Sequence, residues 1–409
     1  MPEIRPFPGV CYRVPETDLP KVLAPPYDVI PKAYQDELYA RDPRNIVRVV
    51  LNREPGDAGY EDAGATYARW LAEGVLAPDP EPALYLLEQT FQVEGQSLRR
   101  VGLLARVRAE DPEKGVILPH EHTRKAAKED RWRVLNATRA NFSPIFMMFP
   151  DGTGRFAAAA ERAVKAAPAL HYTDDGGVEH RLWRLPAGPE ATAFVEVLGG
   201  TKAYIADGHH RYATALRYRD ANGPLGAFTL GYFTPMEAPG LVIQPYHRIL
   251  SAGPSLLEAK AALAGKFRLT EAADPAAAAA AVARSKQPYA FALAWAEGGA
   301  LVAESTASAE ALFPPDTPPS LRALDTYFLH QAVLLPLLGV SDDAVSYVHS
   351  LAEAEEAVAT KACRLAILLR GTPAQQIVDV AEAKESMPAK STFFYPKLPS
   401  GLVIHPLLA

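Results

Sequence analysis

The residues best equipped to do chemistry stand together in one turn, Asp207-Gly208-His209-His210-Arg211. An apolar run precedes them and a helical pattern follows, which predicts a buried strand, a sharp turn and the start of a helix. The first turn of a helix presents free N–H groups and the positive end of the helix dipole, and both attract phosphate. We therefore expect Gly208 and Arg211 to bind phosphate. Asp207 would act as a base or a Mg²⁺ ligand, and His209 or His210 would carry a proton or bind substrate.

A structural alternative exists for this turn. An N-cap aspartate, a turn glycine and exposed histidines on a surface helix would explain each residue taken singly. The cluster of four chemically active residues directly after a buried strand favours the functional interpretation. A turn that is buried and paired within itself would contradict that interpretation.

A second polar segment runs from 119 to 143. Its His120-Glu121-His122 run is not an HExxH motif, and no third ligand follows at a standard spacing, so a zinc site is not expected. Glu121 is an alternative candidate for the base. The candidates for the lining of a polyanion pocket are His120, Glu121, Thr123, Asp130 and Arg131.

A third candidate is Asp28, which follows Pro25-Pro26 and Tyr27. The second proline restricts the first to an extended backbone, so the pair presents Tyr27 and Asp28 on a stiff loop. A simple proline turn would explain the rigidity equally well. Asp28 is nevertheless a candidate site carboxylate.

Two weaker signals lie later in the chain. His247 and Arg248 follow an apolar strand, and a polar segment near the C-terminus contains Lys390-Ser391-Thr392 and Lys397. The first three of these C-terminal residues resemble the end of a Walker A loop, but the glycine pattern that must precede them is absent, so a P-loop fold is excluded. All six side chains are candidates for phosphate contacts.

The composition limits the class of protein and its partners. Of 409 residues, 48% are hydrophobic and 22% charged, as in ordinary globular proteins. A net charge of −6 argues against a broad basic surface, so no duplex nucleic acid partner is expected. Two cysteines without a CxxC spacing fit a reducing compartment. No signal peptide or membrane-length apolar run is visible, so we expect a cytoplasmic protein without a membrane partner.

The order of elements predicts an α+β fold with mixed sheets. Alternating runs at 83–93 and 98–108 predict a hairpin. The segment Ile46–Leu51 predicts a strand, and 320–338 predicts one long helix. The strand before Asp207 is expected near the middle of a mixed sheet.

The pattern of elements changes at 240–254, which predicts a domain seam there. We expect a nucleotide-binding, catalytic region over 1–250 that contains the Asp207 turn. A C-terminal α/β region over 251–409 would follow, and its final Lys-Ser-Thr segment would return to the site.

Short motifs recur across nearly the whole chain: Pro6-Phe7, Ala24–Ile30, Asn45–Arg48, His120–Thr123, Asp130-Arg131, Asp207–Tyr212, His247-Arg248 and Met387–Lys397. Together they resemble the domain-of-unknown-function family 1015. They occur in the family's order, which makes the resemblance specific. Two departures, at His122 and at Ala126-Ala127, remove no candidate catalytic group.

A second resemblance implies a function. The Asp-Gly-His-His-Arg turn is similar to the phosphate-binding box of the ParB/sulfiredoxin superfamily, and free-serine kinases of that superfamily carry a similar segment. The resemblance implies a ParB/sulfiredoxin-like nucleotide-binding core with additional α/β elements. The implied reaction is phosphoryl transfer from ATP or ADP, with Mg²⁺, to the hydroxyl of a small metabolite. Free L-serine is the first choice of acceptor.

Other functions stay open at this point. A non-catalytic nucleotide-binding or regulatory protein would use the same turn to sense a nucleotide. A metal-dependent phosphodiesterase would place histidine and aspartate around a metal, although the negative net charge argues against a general nuclease. The sequence also leaves the oligomeric state open, with a homodimer as one option.

Overall fold

The computed structural model describes residues 1–306, 311 and 313–407. The chain divides into two compact units. Unit 1 consists of Met1–Pro119, Thr123–Val242 and the described part of Pro396–Ala409, and unit 2 consists of His120–His122 and Ile243–Tyr395.

This division differs from the predicted boundary after residue 250, because the chain enters each unit more than once. Residues 396–407, here called the C-terminal strap, belong to unit 1. The strap is bonded along its length to that unit: Ile404 forms a bridge with Val10, and His405–Pro406 pairs with Ala140–Asn141. Pairing between segments so far apart in the chain produces no local sequence pattern from which it could be predicted.

Unit 1 is built around a mixed nine-stranded sheet. The spatial order of its strands is β4-β8-β5-β9-β3-β2-β7-β6, with β1 paired to β3. In chain order these strands are β1 (Ile4–Arg5), β2 (Ala83–Val93), β3 (Gln96–Arg108), β4 (Ile117–Leu118), β5 (Ile145–Phe149), β6 (Leu170–Thr173), β7 (Glu179–Pro186), β8 (Ala203–Asp207) and β9 (Phe228–Pro235).

The longest strand pair is the predicted hairpin, which the structure confirms. Strands β2 and β3 run antiparallel from Tyr85↔Leu104 to Val93↔Gln96. The two turn residues, Glu94 and Gly95, have φ of 50° and 78°, as a two-residue hairpin turn requires.

Helices cover the sheet of unit 1. One face packs phenylalanines edge to face, with ring centroids 5.2 Å apart for Phe149–Phe156 and 5.0 Å apart for Phe156–Phe194. The longer helices are α1 (Lys32–Arg41), α2 (Asp57–Ala72), α3 (Lys125–Thr138), α4 (Arg155–Ala163), α5 (Pro189–Leu198) and α6 (His209–Asn222). Short strands Val10–Tyr12 and Leu76–Pro78 pair with each other outside the main sheet.

Unit 2 contains a six-stranded sheet in the order β11-β13-β12-β15-β10-β14. Its strands are β10 (His247–Leu250), β11 (Phe267–Ala272), β12 (Ala290–Trp295), β13 (Ala300–Ser305), β14 (Val345–Val348) and β15 (Leu365–Leu368). Its longer helices are α7 (Leu256–Leu263), α8 (Pro275–Arg284), α9 (Leu351–Ala359) and α10 (Ala374–Glu382).

Two predicted elements are wrong. The segment Ile46–Leu51 contains a short helix, Val47–Val50, in place of a strand. Buried Asn45 starts that turn, because its Oδ1 accepts the N–H of Val47 at 2.9 Å while its amide donates to Lys21 O and Leu23 O. The run of β-branched residues predicted a strand, but the hydrogen bonds of Asn45 determine the backbone here.

The predicted helix over 320–338 is also interrupted. Leu324 adopts an extended backbone, so the segment begins as two separate turns, Pro319–Arg322 and Asp325–Phe328. A π-helical stretch, Leu329–Leu334, and a final turn, Leu335–Leu338, complete it.

The strand before Asp207 is not in the middle of its sheet. Strand β8 is second from the edge, between β4 and β5. Among the described residues, no helix combines the length and the apolar character needed to cross a membrane.

Candidate functional site

The turn at Asp207 has the predicted strand–turn–helix form. Buried strand β8 ends at Asp207, Gly208 follows with φ of +96°, and α6 begins at His209. A Cβ at Gly208 would lie 3.0 Å from the guanidinium carbon of Arg211. Glycine is therefore favoured by its left-handed backbone, and a Cβ there would also push the Arg211 guanidinium away by a few tenths of an ångström.

Two cations converge on the Asp207 carboxylate. Arg211 Nη2 donates to Asp207 Oδ2 at 2.6 Å, and Lys397 Nζ donates to Oδ1 at 2.8 Å. The side chains of Asp207, Arg211 and Lys397 retain 18%, 12% and 13% exposure. Arg211 also donates to the carbonyl of Pro144. The turn is thus paired within itself and with the C-terminal strap, yet its side chains keep some exposure to solvent.

This pairing sets the protonation state of Asp207. Burial alone would raise its pKa, but the charges of Lys397 and Arg211 outweigh burial and hold the pKa well below its usual range. A carboxylate with a lowered pKa binds a proton weakly. Asp207 is therefore suited to holding two cations and poorly suited to the predicted role of general base.

The two histidines of the turn differ. His209 is buried. His210 accepts a hydrogen bond at Nε2 from the N–H of Arg124, 2.9 Å away. Burial lowers the pKa of His210, against the opposing charge of Asp28. A neutral imidazole that accepts at Nε2 carries its proton on Nδ1, so His210 is a hydrogen-bond donor at that nitrogen.

Asp28 lies on an exposed turn of unit 1, beside a stacked pair of side chains. The Arg131 guanidinium lies 3.7 Å from the centroid of the Tyr27 ring. Burial raises the pKa of Tyr27 to about 12, so Tyr27 stays protonated at neutral pH. Arg131 is itself held by Asp130 and by the carbonyl of Val50. The predicted pocket residue Arg131 therefore braces the loop that presents Asp28.

A small cavity adjoins this part of unit 1. Its volume is about 60 Å³, enough for a few water molecules and too small for a nucleotide. Two arginines and several hydroxyl or amide groups contribute to its wall, including Tyr27, Arg131, Asn141, Ser143, Arg211 and Thr214.

Two buried polar residues that no motif marks also belong to this region. Gln89 on β2 and Arg100 on β3 contact the backbone of the C-terminal strap at Pro396 and Lys397. The signal that could have found them is position: Gln89 shares its strand face with buried Leu87 and Phe91, where an apolar side chain is expected.

Unit 2 contains other candidates, and two of them are buried in its sheet. His247 Nδ1 accepts the N–H of Leu369 at 3.3 Å, and burial lowers the pKa of His247 to about 4. Arg248 is fully buried and donates to Tyr246 O and to His330 Nε2. Arg248 could reach a ligand only after a rearrangement of its own sheet.

The remaining candidates of unit 2 lie on two segments that meet. Glu121 forms a parallel bridge with Met387, and the carbonyl of buried His120 accepts the N–H of Met387 at 2.8 Å. Lys390 has φ of +60° and its Nζ lies 4.9 Å from the Tyr246 ring centroid.

Ser391 is more clearly structural than its neighbours. Its hydroxyl donates to Pro388 O at 2.7 Å and contacts Thr326 Oγ1 at 3.1 Å. Thr392 is half-buried and Thr123, which belongs to unit 1, is half-buried as well. The predicted phosphate contacts of these residues stay predictions.

Searches among solved structures found distant likenesses. A free serine kinase in complex with AMP is 13% identical with a TM-score of 0.34, over 71% of this chain and 86% of the kinase. A conserved hypothetical protein from Pyrococcus furiosus is 12% identical with a TM-score of 0.35, over 73% and 93%. SbnI with a C-terminal truncation, from Staphylococcus aureus, is 11% identical with a TM-score of 0.35, over 74% and 87%. TM-scores of this size carry no function from those proteins to this chain.

No curated protein matches this sequence significantly. A family model, in contrast, matches residues 4–327, which is most of the chain. That span includes the Asp28 loop, the Asp207 turn and His247-Arg248. The chain therefore belongs to the family described as protein of unknown function DUF1015.

Proposed function

We propose that this protein is a nucleotide-dependent kinase that transfers a phosphoryl group to the hydroxyl of a small metabolite, with free L-serine as the first acceptor. The observation that carries the proposal is the convergence of Arg211 and Lys397 on one carboxylate at the first turn of α6. Two cations against one anion leave a net positive charge there. The helix dipole adds to it, and the turn remains partly exposed.

Phosphoryl transfer depends on positioning and on charge neutralisation more than on covalent chemistry. Arg211 would bind phosphate oxygens through its planar fork and Lys397 would bind them as a point charge. Asp207 keeps both cations in place by its two ion pairs. His210 would donate a hydrogen bond from Nδ1–H to the phosphate or to the acceptor.

The proposal assigns the base to Asp28 and not to Asp207. Asp207 has both oxygens committed to cations, whereas Asp28 is exposed on a turn and interacts electrostatically with His210. An exposed carboxylate near the phosphate site is free to take the proton of an acceptor hydroxyl. Glu121, the other predicted base, belongs to unit 2.

Mg²⁺ is part of the proposal through the nucleotide. Among residues 1–306, 311 and 313–407, no group of three or more His, Cys, Asp or Glu side chains is arranged to hold a metal ion. Asp207, as it is paired, does not fit the predicted role of ligand. Mg²⁺ commonly keeps several waters and binds substrate phosphates, so we assign it to the phosphates, where it would neutralise their charge.

A nucleotide sensor would use the same ion pairs of Asp207 with Arg211 and Lys397. A regulatory protein is therefore the alternative function. A sensor needs Arg211 and Lys397 to bind phosphate but has no use for a base. Asp28 therefore separates the two functions. The ParB/sulfiredoxin-like core, the cytoplasmic location and a homodimer are further parts of the kinase hypothesis.

The test follows product formation by ³¹P NMR, with purified protein, Mg²⁺, L-serine and either ATP or ADP. We expect O-phosphoserine from the wild type. Asp28→Asn should lower turnover at least about 100-fold and leave nucleotide affinity within about threefold, because it removes only the base. The matched control is Asp36→Asn, an exposed aspartate on α1 paired with Lys32.

Two results would count against the kinase. Tight nucleotide binding without transfer to serine, other amino acids or polyols would favour the regulatory protein. Full activity of Asp28→Asn would remove the assigned base and return that role to another carboxylate.

A further inference from the structure

An arginine and a glutamine face each other inside the sheet of unit 1. Gln89 on β2 and Arg100 on β3 are direct cross-strand partners, and both are 0% exposed. The Arg100 guanidinium lies 4.7 Å from the centroid of the Phe146 ring and 5.9 Å from that of Tyr232. Burial of a guanidinium is costly unless its N–H groups form hydrogen bonds, so the partners of Arg100 indicate its role.

One of those partners is the carbonyl of Pro396, at the start of the C-terminal strap. Arg100 Nη2 donates to the side-chain oxygen of Gln89 and to the carbonyl of Pro396. Gln89 Nε2 in turn donates to the carbonyl of Lys397 at 3.2 Å. The buried pair therefore acts as one unit that holds two consecutive carbonyls of the strap.

These two carbonyls belong to the peptide groups on either side of the Lys397 Cα. Fixing both peptide groups fixes the direction in which the Lys397 side chain leaves the backbone. Proline at 396 stiffens the approach further, because its ring locks φ. At the other end of the side chain, Lys397 Nζ reaches Asp207 Oδ1 at 2.8 Å, across a separation of 190 residues in sequence.

We infer that Gln89 and Arg100 are positioning residues that aim Lys397 into the Asp207 site. They act through the strap backbone, where Arg100 donates to Pro396 O and Gln89 donates to Lys397 O. The identity of the group that Lys397 binds rests on the proposed function. The position in which Lys397 is held does not.

A purely structural role makes a different prediction. If Arg100 only filled space, Arg100→Met would be tolerated with no effect elsewhere, since apolar groups of similar volume often replace buried charges without loss of stability. If Arg100 positions Lys397, the same variant should fold and yet release the lysine. Arg100→Lys, which can still donate to Pro396 O, should restore the position in part.

The first readout does not depend on any ligand. Full-length protein is treated with an amine-acylating reagent, and modification of Lys397 is timed by peptide mass spectrometry. We expect Lys397 to react about five- to tenfold faster in Arg100→Met, and at an intermediate rate in Arg100→Lys. Arg108→Met, on the same strand and paired with Glu3, should match the wild type. Gln89→Met serves as the second variant if Arg100→Met does not fold.

The second readout is ADP affinity in a double-mutant cycle. Arg100→Met and Lys397→Met should each weaken ADP binding about tenfold, and the double variant should be no weaker than Lys397→Met alone. Wild-type acylation rates in folded Arg100→Met and Gln89→Met would overturn the inference. Faster acylation with unchanged ADP affinity would support the positioning role and count against the phosphate role proposed for Lys397.

Discussion

Two histidine-arginine pairs of this chain lie in different environments. His210-Arg211 stands just past strand β8, at the first turn of a helix, where Arg211 keeps 12% of its side chain exposed and pairs with Asp207. His247-Arg248 stands inside strand β10, where Arg248 is fully buried.

The difference lies in the residues between the strand and the arginine. Gly208, with its left-handed φ, ends β8 and turns the chain into α6, so that Arg211 reaches back to Asp207. At 245–248 the chain has no such glycine, and pairing with β14 and β15 continues through Arg248. Similar residue types thus provide a partly exposed cation in one place and a buried cation in the other.

The largest expected effect is a difference in ADP affinity between variants of Arg211 and Arg248. Arg211→Met should weaken ADP binding about 100- to 1000-fold, because it removes a partly buried charge and leaves Asp207 with a single partner. Arg248→Met should leave ADP affinity within about threefold. Isothermal titration of both folded variants is the measurement. Equal losses of ADP affinity would show that Arg211 and Arg248 do not differ in their contribution to nucleotide binding.

The second prediction concerns the stability that His247 costs the folded protein at acidic pH. Folded His247 has a pKa of about 4, below the ordinary 6.5, so as pH falls between these values the unfolded chain takes up a proton that the folded chain does not. Stability is therefore lost over this window, by roughly 3 kcal/mol at most. His247→Asn keeps an acceptor for Leu369 N–H and removes the titration.

Urea unfolding of the wild type and His247→Asn, compared at about pH 7.5 and pH 4.5, measures this effect. The wild type should lose more stability than the variant. The same loss in both proteins would show that His247 does not titrate in this way.

The third prediction uses the two left-handed glycines that precede α6 and α4. Gly208 and Gly154 both have positive φ and ψ, so alanine at either should cost about 1–2 kcal/mol in backbone strain. Only at Gly208 would the new Cβ also press on Arg211, whereas Gly154 has open space. Gly208→Ala should therefore weaken ADP binding about tenfold and Gly154→Ala should not.

Thermal unfolding and ADP titration of the two glycine variants test this point together. Equal affinities at equal stability loss would show that the position of Arg211 is not critical.

The smallest effect is expected on the outer face of α6. Arg217 forms an exposed ion pair with Glu129 at 2.8 Å, and exposed pairs contribute little. Arg217→Gln should change the ADP dissociation constant by less than about twofold. A larger change would indicate that general positive charge, and not the Asp207 turn, attracts the nucleotide.

Local signals made part of this structure predictable. The strand, the left-handed glycine and the helix at 203–222 follow from an apolar run, an Asp-Gly pair and helical periodicity, and the 83–108 hairpin follows from alternation around Glu94-Gly95. Ile46–Leu51 failed because buried Asn45, and not the β-branched run, decides the backbone there.

The composition of the site was harder to predict. The sequence marked Lys397 as one of several phosphate contacts, but its pairing with Asp207 depends on a strap 190 residues away in sequence. The same pairing changes the expected chemistry of Asp207 from base to anchor for two cations. Gln89 and Arg100 carry no motif, since their role depends only on the cross-strand register and the return of the strap.

A crystal structure of the protein with ADP and Mg²⁺ would locate the bound phosphates. We expect terminal phosphate oxygens about 3 Å from both the Arg211 guanidinium and Lys397 Nζ, at the first turn of α6. A nucleotide bound elsewhere, with the ion pairs of Asp207 to Arg211 and Lys397 unchanged, would show that the Asp207 turn is not the phosphate site.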